Sequence, residues 1–135
     1  NIDYIHCEPG KLKINKKFNV ILNMEVVEHV SNIDLFIEHC SQLIEKNGIM
    51  FVATINKNLK SYLLAIVGAE YILRWLPIGT HQWDKFLTPQ ELEIIANKKN
   101  FLTDEVVGMK FNFFLKKWHR SLDFSVNYIS TFLKN

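Results

Sequence analysis

Two short apolar runs flank an amphipathic segment in the first part of the chain. Phe18–Met24 is rich in β-branched residues, and residues 49–55 are apolar on both faces, as in strands buried within a parallel sheet. Between them, residues 31–34 resemble a helix-capping sequence, and the apolar positions that follow recur at helical spacing. The Asn-Gly pair at 47–48 supplies a left-handed stop, which predicts that this helix ends after Lys46. Strand, helix and strand in this order predict a βαβ unit.

The second part of the chain departs from simple alternation. Residues 59–76 form a long apolar segment, and a polar loop follows it. Residues 88–91 predict a helix start, with a hydroxyl N-cap, a proline in the first turn and a glutamate three residues on. We expect that helix to run to about Lys99. Residues 101–110 and 122–133 are predicted to be strands, joined by an aromatic and basic hairpin.

Composition narrows the classes of protein. The chain has 135 residues, the size of one domain, and its 48% hydrophobic and 22% charged content is ordinary for a soluble globular protein. A net charge of +2 with scattered basic residues gives no argument for nucleic acid. Cys7 and Cys40 are too few and too far apart for a disulfide scaffold or a zinc site, which favours free thiols in a reducing compartment. The opening residues show no signal-peptide pattern and lack a methionine, so we expect a fragment.

Two glutamates and a histidine follow the first predicted strand. Ligands of open α/β sheets bind outside the carboxyl ends of the strands, so Glu25, Glu28 and His29 stand where a site is expected. If the chain turns helically after Met24, the two carboxylates face the same way. Two carboxylates and an imidazole suit Mg²⁺ or Mn²⁺, with water or substrate oxygens completing the shell. The alternative is a solvated helix start, where acidic residues favour the positive end of the helix dipole. Spacing alone leaves both readings open.

The same cluster carries a family resemblance. The string N-M-E-V-V-E-H-V at residues 23–30 resembles the C-M-E-V-L-E-H-V signature of the ubiquinone-biosynthesis O-methyltransferases. Two strings together are much more specific for this family than any single short motif: V-G-A-E-Y at 67–71 and G-T-H at 79–81. The resemblance covers nearly the whole chain from Phe18 onward, and further matches are A-T-I-N at 53–56, Y-L-L-A-I-V-G-A-E-Y-I-L-R at 62–74, G-T-H at 79–81, P-Q-E-L at 89–92 and V-N-Y at 126–128.

The resemblance implies a fold and an activity. The fold is α/β, the C-terminal half of a class I S-adenosylmethionine-dependent methyltransferase of Rossmann-like type, with a mostly parallel sheet and an antiparallel C-terminal hairpin. Residues 1–135 are then a partial domain that methylates hydroxyls of polyprenylated catechols in ubiquinone synthesis, using S-adenosylmethionine and Mg²⁺ or another divalent ion. The implied location is cytoplasmic, peripheral to the inner membrane, on the mitochondrial matrix side in a eukaryote. The alternatives are a methyltransferase for another phenolic substrate, and a non-catalytic split-gene fragment that binds membrane or a partner.

Roles for individual residues follow from the same resemblance. It implies that Met24 lines the cofactor pocket and that Glu25, Glu28 and His29 bind the metal. A bound divalent ion lowers the pKa of a catechol hydroxyl and orients its two oxygens before attack on the sulfonium methyl. His29 as a general base is a second catalytic role, ranked below metal ligation.

Two residues beyond the cluster are candidates for substrate contact. Asn56 follows the second predicted strand, and His81 lies in the polar loop. Their structural alternatives, a turn former and a loop histidine, are equally compatible with the sequence.

An apolar insert at residues 57–87 is the second feature of functional interest. Its apolar stretch is too short, and too polar at Glu70 and Arg74, to span a membrane. The composition allows a lid over an active site, an interfacial helix on a membrane, or a helix buried in the core. The residues predicted for membrane contact are Tyr62, Leu63, Ile66, Val67, Leu73 and Trp75.

The cofactor half of the family's site is expected to lie outside these residues. The chain has five glycines, and none are arranged as G-x-G. Without further strands, Phe18–Met24 becomes an apolar sheet edge, and such edges invite pairing with another chain. We therefore expect that either an N-terminal half completes the domain or the chain associates with itself.

Overall fold

A five-stranded sheet in the order β1-β2-β5-β3-β4 organises the chain. The computed structural model describes residues 2–7, 9–12, 14–74, 77, 79, 82–112 and 114–135. The strands are β1 Phe18–Met24, β2 Ile44–Ile55, β3 Phe101–Asn112, β4 Lys117–Ser121 and β5 Asn127–Lys134. The helices are α1 Ile33–Leu43, α2 Leu59–Ser61 and α3 Pro89–Asn97, with a π helix at Tyr62–Ile72 and short 3₁₀ turns at Pro9–Lys11, Val27–His29 and Trp83–Lys85.

The predicted βαβ unit is confirmed. β1 and β2 pair in parallel with α1 between them in sequence, and Met24 lies beside Ala53 in the register. The backbone N–H of Glu25 donates to the Ala53 carbonyl at 3.0 Å. The carboxyl ends of both strands therefore meet at one edge of the sheet.

The end of α1 differs from the prediction. The helix stops at Leu43 rather than after Lys46, and β2 begins at once. Ile44 is fully buried and pairs with Phe18. Burying the large aliphatic side chain of Ile44 in the core stabilises the fold more than one further helical turn would. Asn47 does adopt the left-handed conformation, at φ 62°, but it lies in an irregularity of β2.

Side-chain caps define the starts of the two helices that pack on the sheet. The Asn32 side chain caps α1 by accepting the N–H of Leu35 at 3.0 Å. At α3, the hydroxyl of Thr88 accepts the Glu91 N–H at 3.2 Å, and the Glu91 carboxylate accepts the Thr88 N–H at 2.8 Å. The predicted capping box at Thr88 is therefore confirmed, although the helix ends at Asn97.

The remaining strand pairs are antiparallel, which corrects the prediction of a mostly parallel sheet for these residues. β2 with β5, β5 with β3, and β3 with β4 all run antiparallel. The strand predicted at 122–133 is confirmed only from Asn127 onward, because residues 122–126 form the connection between β4 and β5. A Cβ at Gly108 would lie 2.0 Å from the Asp123 carbonyl oxygen, so the connection between β4 and β5 packs directly on that glycine. β4 and β5 both pair with β3, one on each side of it, so this connection crosses over β3 at Gly108.

The larger core cluster lies on one face of the sheet. Met50 and Val52 of β2 are fully buried with Ile37 of α1 and Leu92 of α3. Side chains alternate along a strand, so Val20, Leu22 and Met24 of β1 lie on the face opposite to Met50 and Val52. Leu22 on that face is 64% exposed, and Val20 and Met24 are also exposed. β1 is therefore an edge strand with an open apolar face, as predicted.

The insert is anchored by a second, smaller apolar cluster. Ile66 of the π helix is buried with Ile55 and Phe86. Ile66 is therefore not available for the predicted membrane contact, because anchoring the insert requires it inside. Tyr62, Leu63 and Leu73 are exposed, Val67 is half-buried, and Trp75 lies outside the described residues. None of the helices in the described part of the chain is long and apolar enough to cross a membrane.

The open face of β1 generates a first prediction. Replacing both Val20 and Leu22 with lysine puts charges on this face, so we expect it to lower the weight-average mass of the chain in sedimentation equilibrium. Leu35→Lys, on an exposed position of α1, is the control and should leave the mass unchanged. A parent chain that stays monomeric across the concentration range contradicts self-association.

Candidate active site

A left-handed residue redirects the chain at the end of β1. Glu25 has φ 54°, a conformation that costs a residue with a side chain about 1 kcal/mol or more. Its N–H still continues the ladder to β2 through the Ala53 carbonyl. The chain then enters the 3₁₀ turn Val27–His29. The turn therefore begins above the ends of both parallel strands, where the sequence predicted a site.

Glu28 is the buried acidic residue of this turn. It is 3% exposed, and its Oε2 accepts a hydrogen bond from the Thr54 hydroxyl at 2.9 Å. Its Oε1 is also buried, and within the described residues no N–H or hydroxyl donates to it. A buried carboxylate with an unsatisfied oxygen is costly unless a proton or a cation neutralises it.

Glu25 stands beside Glu28 and forms a carboxyl pair with it. Burial of its carboxyl, a hydrogen bond to Glu28 and the charge of Glu28 raise the pKa of Glu25 to about 7. Glu25 keeps an exposed surface as a whole residue, although burial of its carboxyl is the largest of these causes. The raised pKa means that Glu25 binds a proton more tightly than a free glutamate does, and a divalent cation can take the place of that proton.

His29 does not join the carboxyl pair. Within the described residues, no group of three or more histidine, cysteine, aspartate or glutamate side chains is placed to hold a metal ion. The prediction assumed an α-helical turn, in which positions 25 and 29 face the same way. In a 3₁₀ turn only residues three apart eclipse, which leaves the fourth side chain pointing elsewhere. His29 is exposed and lines a cavity of about 390 Å³ with Ser31 and His39.

The remaining predicted site residues have different surroundings. Met24 ends β1 and is half exposed on the open face. Asn56 is buried, and its Nδ2 donates to the Phe124 carbonyl at 3.0 Å while its N–H donates to the Val126 carbonyl at 2.7 Å. These bonds give Asn56 the structural role of fastening the loop before β5. His81 lies outside the described residues.

Thr54 is a site residue that the sequence reasoning missed. It is fully buried, lies at the carboxyl end of β2 and supplies the hydroxyl that holds Glu28. The sequence did indicate this position, because the carboxyl end of β2, which pairs in parallel with β1, must lie beside the glutamates. Tyr128 of β5 lies beneath the site, where burial and the charges of Glu91 and Glu28 raise the pKa of its phenol. Its hydroxyl donates to the Leu87 carbonyl at 3.0 Å.

Comparison with known proteins identifies the family. Residues 3–106 match the methyltransferase-domain family. The chain belongs to that family. It is 58% identical over 134 residues to a ubiquinone biosynthesis O-methyltransferase of Pelagibacter ubique strain HTCC1062, covering 99% of this chain and 56% of the relative. It is 47% identical over 128 residues to the protein of the same name from Rhodopseudomonas palustris strain TIE-1, covering 95% of this chain and 51% of the relative.

Solved structures confirm the fold class of this methyltransferase domain. A SAM-dependent methyltransferase from Thermotoga maritima, described as a possible histamine N-methyltransferase, superposes with TM-score 0.64 at 12% identity, covering 91% of this chain and 60% of that one. Magnesium protoporphyrin IX methyltransferase from Synechocystis PCC 6803 with bound SAH gives TM-score 0.61 at 14% identity, covering 96% and 49%. The predicted α/β, Rossmann-like class and the predicted family are thus confirmed. The chain spans about half the length of the curated relatives that it matches.

The carboxyl pair generates a prediction about pH. The pKa of Glu25 rises on folding from 4.5 to about 7, so the folded state binds the proton more tightly. The associated stability is present below about pH 4.5 and is lost as pH rises through about 7. Glu28→Gln removes the neighbouring charge, so the pKa of Glu25 should fall toward 4.5 and this pH dependence should shrink.

The measurement is carbon-13 NMR titration of the Glu25 carboxyl. Glu45→Gln, at an exposed position of β2, is the matched control and should leave the titration unchanged. A Glu25 pKa that stays near 7 in Glu28→Gln would show that the pair is not coupled.

Proposed function

We propose that the protein to which this chain belongs is an S-adenosylmethionine-dependent O-methyltransferase acting on polyprenylated catechol intermediates of ubiquinone synthesis. The observation that carries the proposal is the carboxyl pair of Glu25 and Glu28 at the shared carboxyl end of β1 and β2. The identity of 58% to a relative named for this pathway, over nearly the whole chain, supports the choice of substrate.

The proposed chemistry of the carboxyl pair is removal of a proton from the substrate hydroxyl. A phenol must lose its proton before its oxygen attacks the methyl group of the sulfonium donor. A carboxyl with a pKa of about 7 is poised to accept that proton near neutral pH. Thr54 fixes Glu28 by hydrogen bonding, so the pair is oriented before substrate arrives.

The carboxyl pair also fits a divalent cation. Two carboxylates, one with a buried oxygen that receives no hydrogen bond from described residues, are the oxygen ligands that Mg²⁺ prefers. When bound, the cation supplies charge that lowers the pKa of a catechol hydroxyl and orients two adjacent oxygens. Because His29 lies apart from the pair, the proposal assigns the cation to Glu25 and Glu28. A general-base role for His29 remains a prediction.

Met24 and the open sheet face complete the proposal for the cofactor. Met24 lies at the end of β1, directly before the carboxyl pair, and its side chain is half exposed. We assign it to the wall of the S-adenosylmethionine pocket. The open face of β1 then receives the N-terminal half that carries the remaining cofactor contacts.

The exposed side of the insert suits a substrate that lives in a bilayer. Leu63, Leu64, Tyr71 and Ile72 are each at least half exposed around the π helix. Apolar surface of this size on a helix favours contact with a lipid or with the substrate's polyprenyl chain. We propose that the protein is peripheral to the inner membrane and that the insert contacts it.

The proposed activity is tested in a chimera. The chain is joined after the segment of the Pelagibacter relative that precedes the matched residues. We expect methyl transfer from S-adenosylmethionine to a short-chain prenyl catechol, with little transfer to the matching monohydroxy phenol. Glu28→Gln should lower kcat/KM by about 100-fold or more, and Glu45→Gln should not. A correctly folded chimera that transfers no methyl group would favour the non-catalytic alternative.

The cation is tested by binding as well as by activity. Mn²⁺ binding to the chimera is measured from the loss of the free-ion electron paramagnetic resonance signal. Replacing both Glu25 and Glu28 with glutamine should weaken binding by about tenfold or more, because both charges are removed. Full methyl transfer in the presence of chelator would eliminate the metal from the proposal and leave the proton-acceptor role.

A further inference from the structure

The hairpin formed by residues 110–112 and 114–120, here called the aromatic hairpin, projects past the body of the sheet. The pairing of β3 with β5 ends at Met109 beside Asn127, whereas its pairing with β4 continues to Asn112 beside Lys117. Beyond Met109 the sheet is therefore a two-stranded ribbon. Phe114, Leu115 and Trp118 on this ribbon are exposed, so their side chains are available to a partner.

The tip of the aromatic hairpin presents two apolar side chains. The side-chain oxygen of Asn112 accepts the backbone N–H groups of Phe114 and Leu115, each at 3.0 Å. Lys116 then turns the chain back in the left-handed conformation, at φ 49°. This turn leaves Phe114 97% exposed and Leu115 69% exposed. Exposure on this scale needs an explanation outside the fold.

An aromatic pair stands directly behind the tip. Phe111 and Trp118 are cross-strand neighbours, with ring centroids 5.4 Å apart. Trp118 remains more than half exposed. The indole has an apolar body and a polar N–H, and tryptophan, like tyrosine, is enriched where hydrocarbon meets water.

The charges of the aromatic hairpin are all positive. No aspartate or glutamate occurs from residue 106 to residue 122. At the base, Lys110 pairs with Asp123 at 2.8 Å and Arg120 pairs with Glu105 at 2.6 Å. Among the described residues no ion pair involves Lys116 or Lys117, both of which are exposed next to the apolar tip. The tip therefore carries two uncompensated cations.

The aromatic hairpin and the insert are fastened to the same loop. Asp123 pairs with Lys60, at the start of the insert, at 3.2 Å as well as with Lys110 of the hairpin. The side-chain amide of Asn58 donates to the Ser125 carbonyl at 2.6 Å. The base of the exposed insert therefore lies beside the base of the hairpin, and both contact the same loop.

We propose that the aromatic hairpin is a membrane-contact element that binds the anionic surface of a lipid bilayer, with Phe114 and Leu115 entering the boundary between headgroups and acyl chains. Lys116 and Lys117 contact anionic headgroups, and Trp118 lies at headgroup level. This inference rests on the proposed membrane association and gives it a second element beside the insert.

The side chains favour a bilayer over a nucleic acid. A nucleic-acid surface needs a basic stripe that tracks successive phosphates, whereas the tip offers two cations around an apolar point. Apolar and aromatic side chains flanked by lysines match an interface that is apolar inside and negatively charged outside.

The test is flotation of the chain with vesicles of phosphatidylcholine containing phosphatidylglycerol, compared with phosphatidylcholine alone. Lys116→Glu with Lys117→Glu should lower the partition coefficient on anionic vesicles by about tenfold or more. Its matched control is Lys16→Glu with Lys17→Glu, an exposed lysine pair that changes the net charge equally.

Phe114→Ala with Leu115→Ala should lower partitioning by about tenfold on both vesicle types. The apolar control is Leu35→Ala with Ile94→Ala. Circular dichroism verifies that each variant is folded.

The inference would be overturned if the hairpin variants bound both vesicle types as well as the parent chain does. It would also be overturned if vesicle binding were lost only when residues of the insert were changed. Binding to duplex DNA without binding to vesicles would also overturn it, by assigning the cations to another polyanion. Methyl transfer by the chimera to a water-soluble catechol should be unchanged in the hairpin variants. Failure of vesicle binding is therefore distinguishable from failure of the proposed chemistry.

Discussion

The parallel pairing of β1 with β2 is the constraint on which the site depends. Parallel strands end at the same edge, and the bond from the Glu25 N–H to the Ala53 carbonyl carries this register one residue beyond β1. Thr54 is therefore in place to donate to Glu28, although 26 residues separate them. An antiparallel pair would have put the end of β2 at the opposite edge of the sheet and left Glu28 without its hydroxyl partner.

Burial of Glu28 links the fold to the charge of the site. A carboxylate removed from water needs its oxygens satisfied, and the hydroxyl of Thr54 satisfies only one of them. The other oxygen, Oε1, receives no hydrogen bond from the described residues, so its charge must be balanced by a proton shared with Glu25 or by a cation. The acidic turn is thus more stable when the pair carries a proton or a cation than when both carboxylates are bare.

Local signals in the sequence determine much of this structure. The apolar runs at 18–24 and 49–55 and the capping sequence at Thr88 act through short-range physics, and each forms the predicted element. The end of α1 was not predictable in the same way, because burial of Ile44 against distant residues decides it. At the site, the sequence indicated the glutamates, whereas the position of His29 depends on a 3₁₀ geometry that spacing does not encode. The separation of β4 from β5 likewise depends on the approach of Asp123 to Gly108.

The left-handed backbone at Glu25 has a consequence for how this position tolerates change. Glycine adopts φ 54° without strain, so a glycine here would relieve the backbone by about 1 kcal/mol. The same substitution deletes one of the two carboxyl groups. The backbone strain and the proposed chemistry therefore make opposite demands on one residue, and screens for stability and for methyl transfer test them separately. Comparing the two screens at this single codon separates what the fold requires from what the reaction requires.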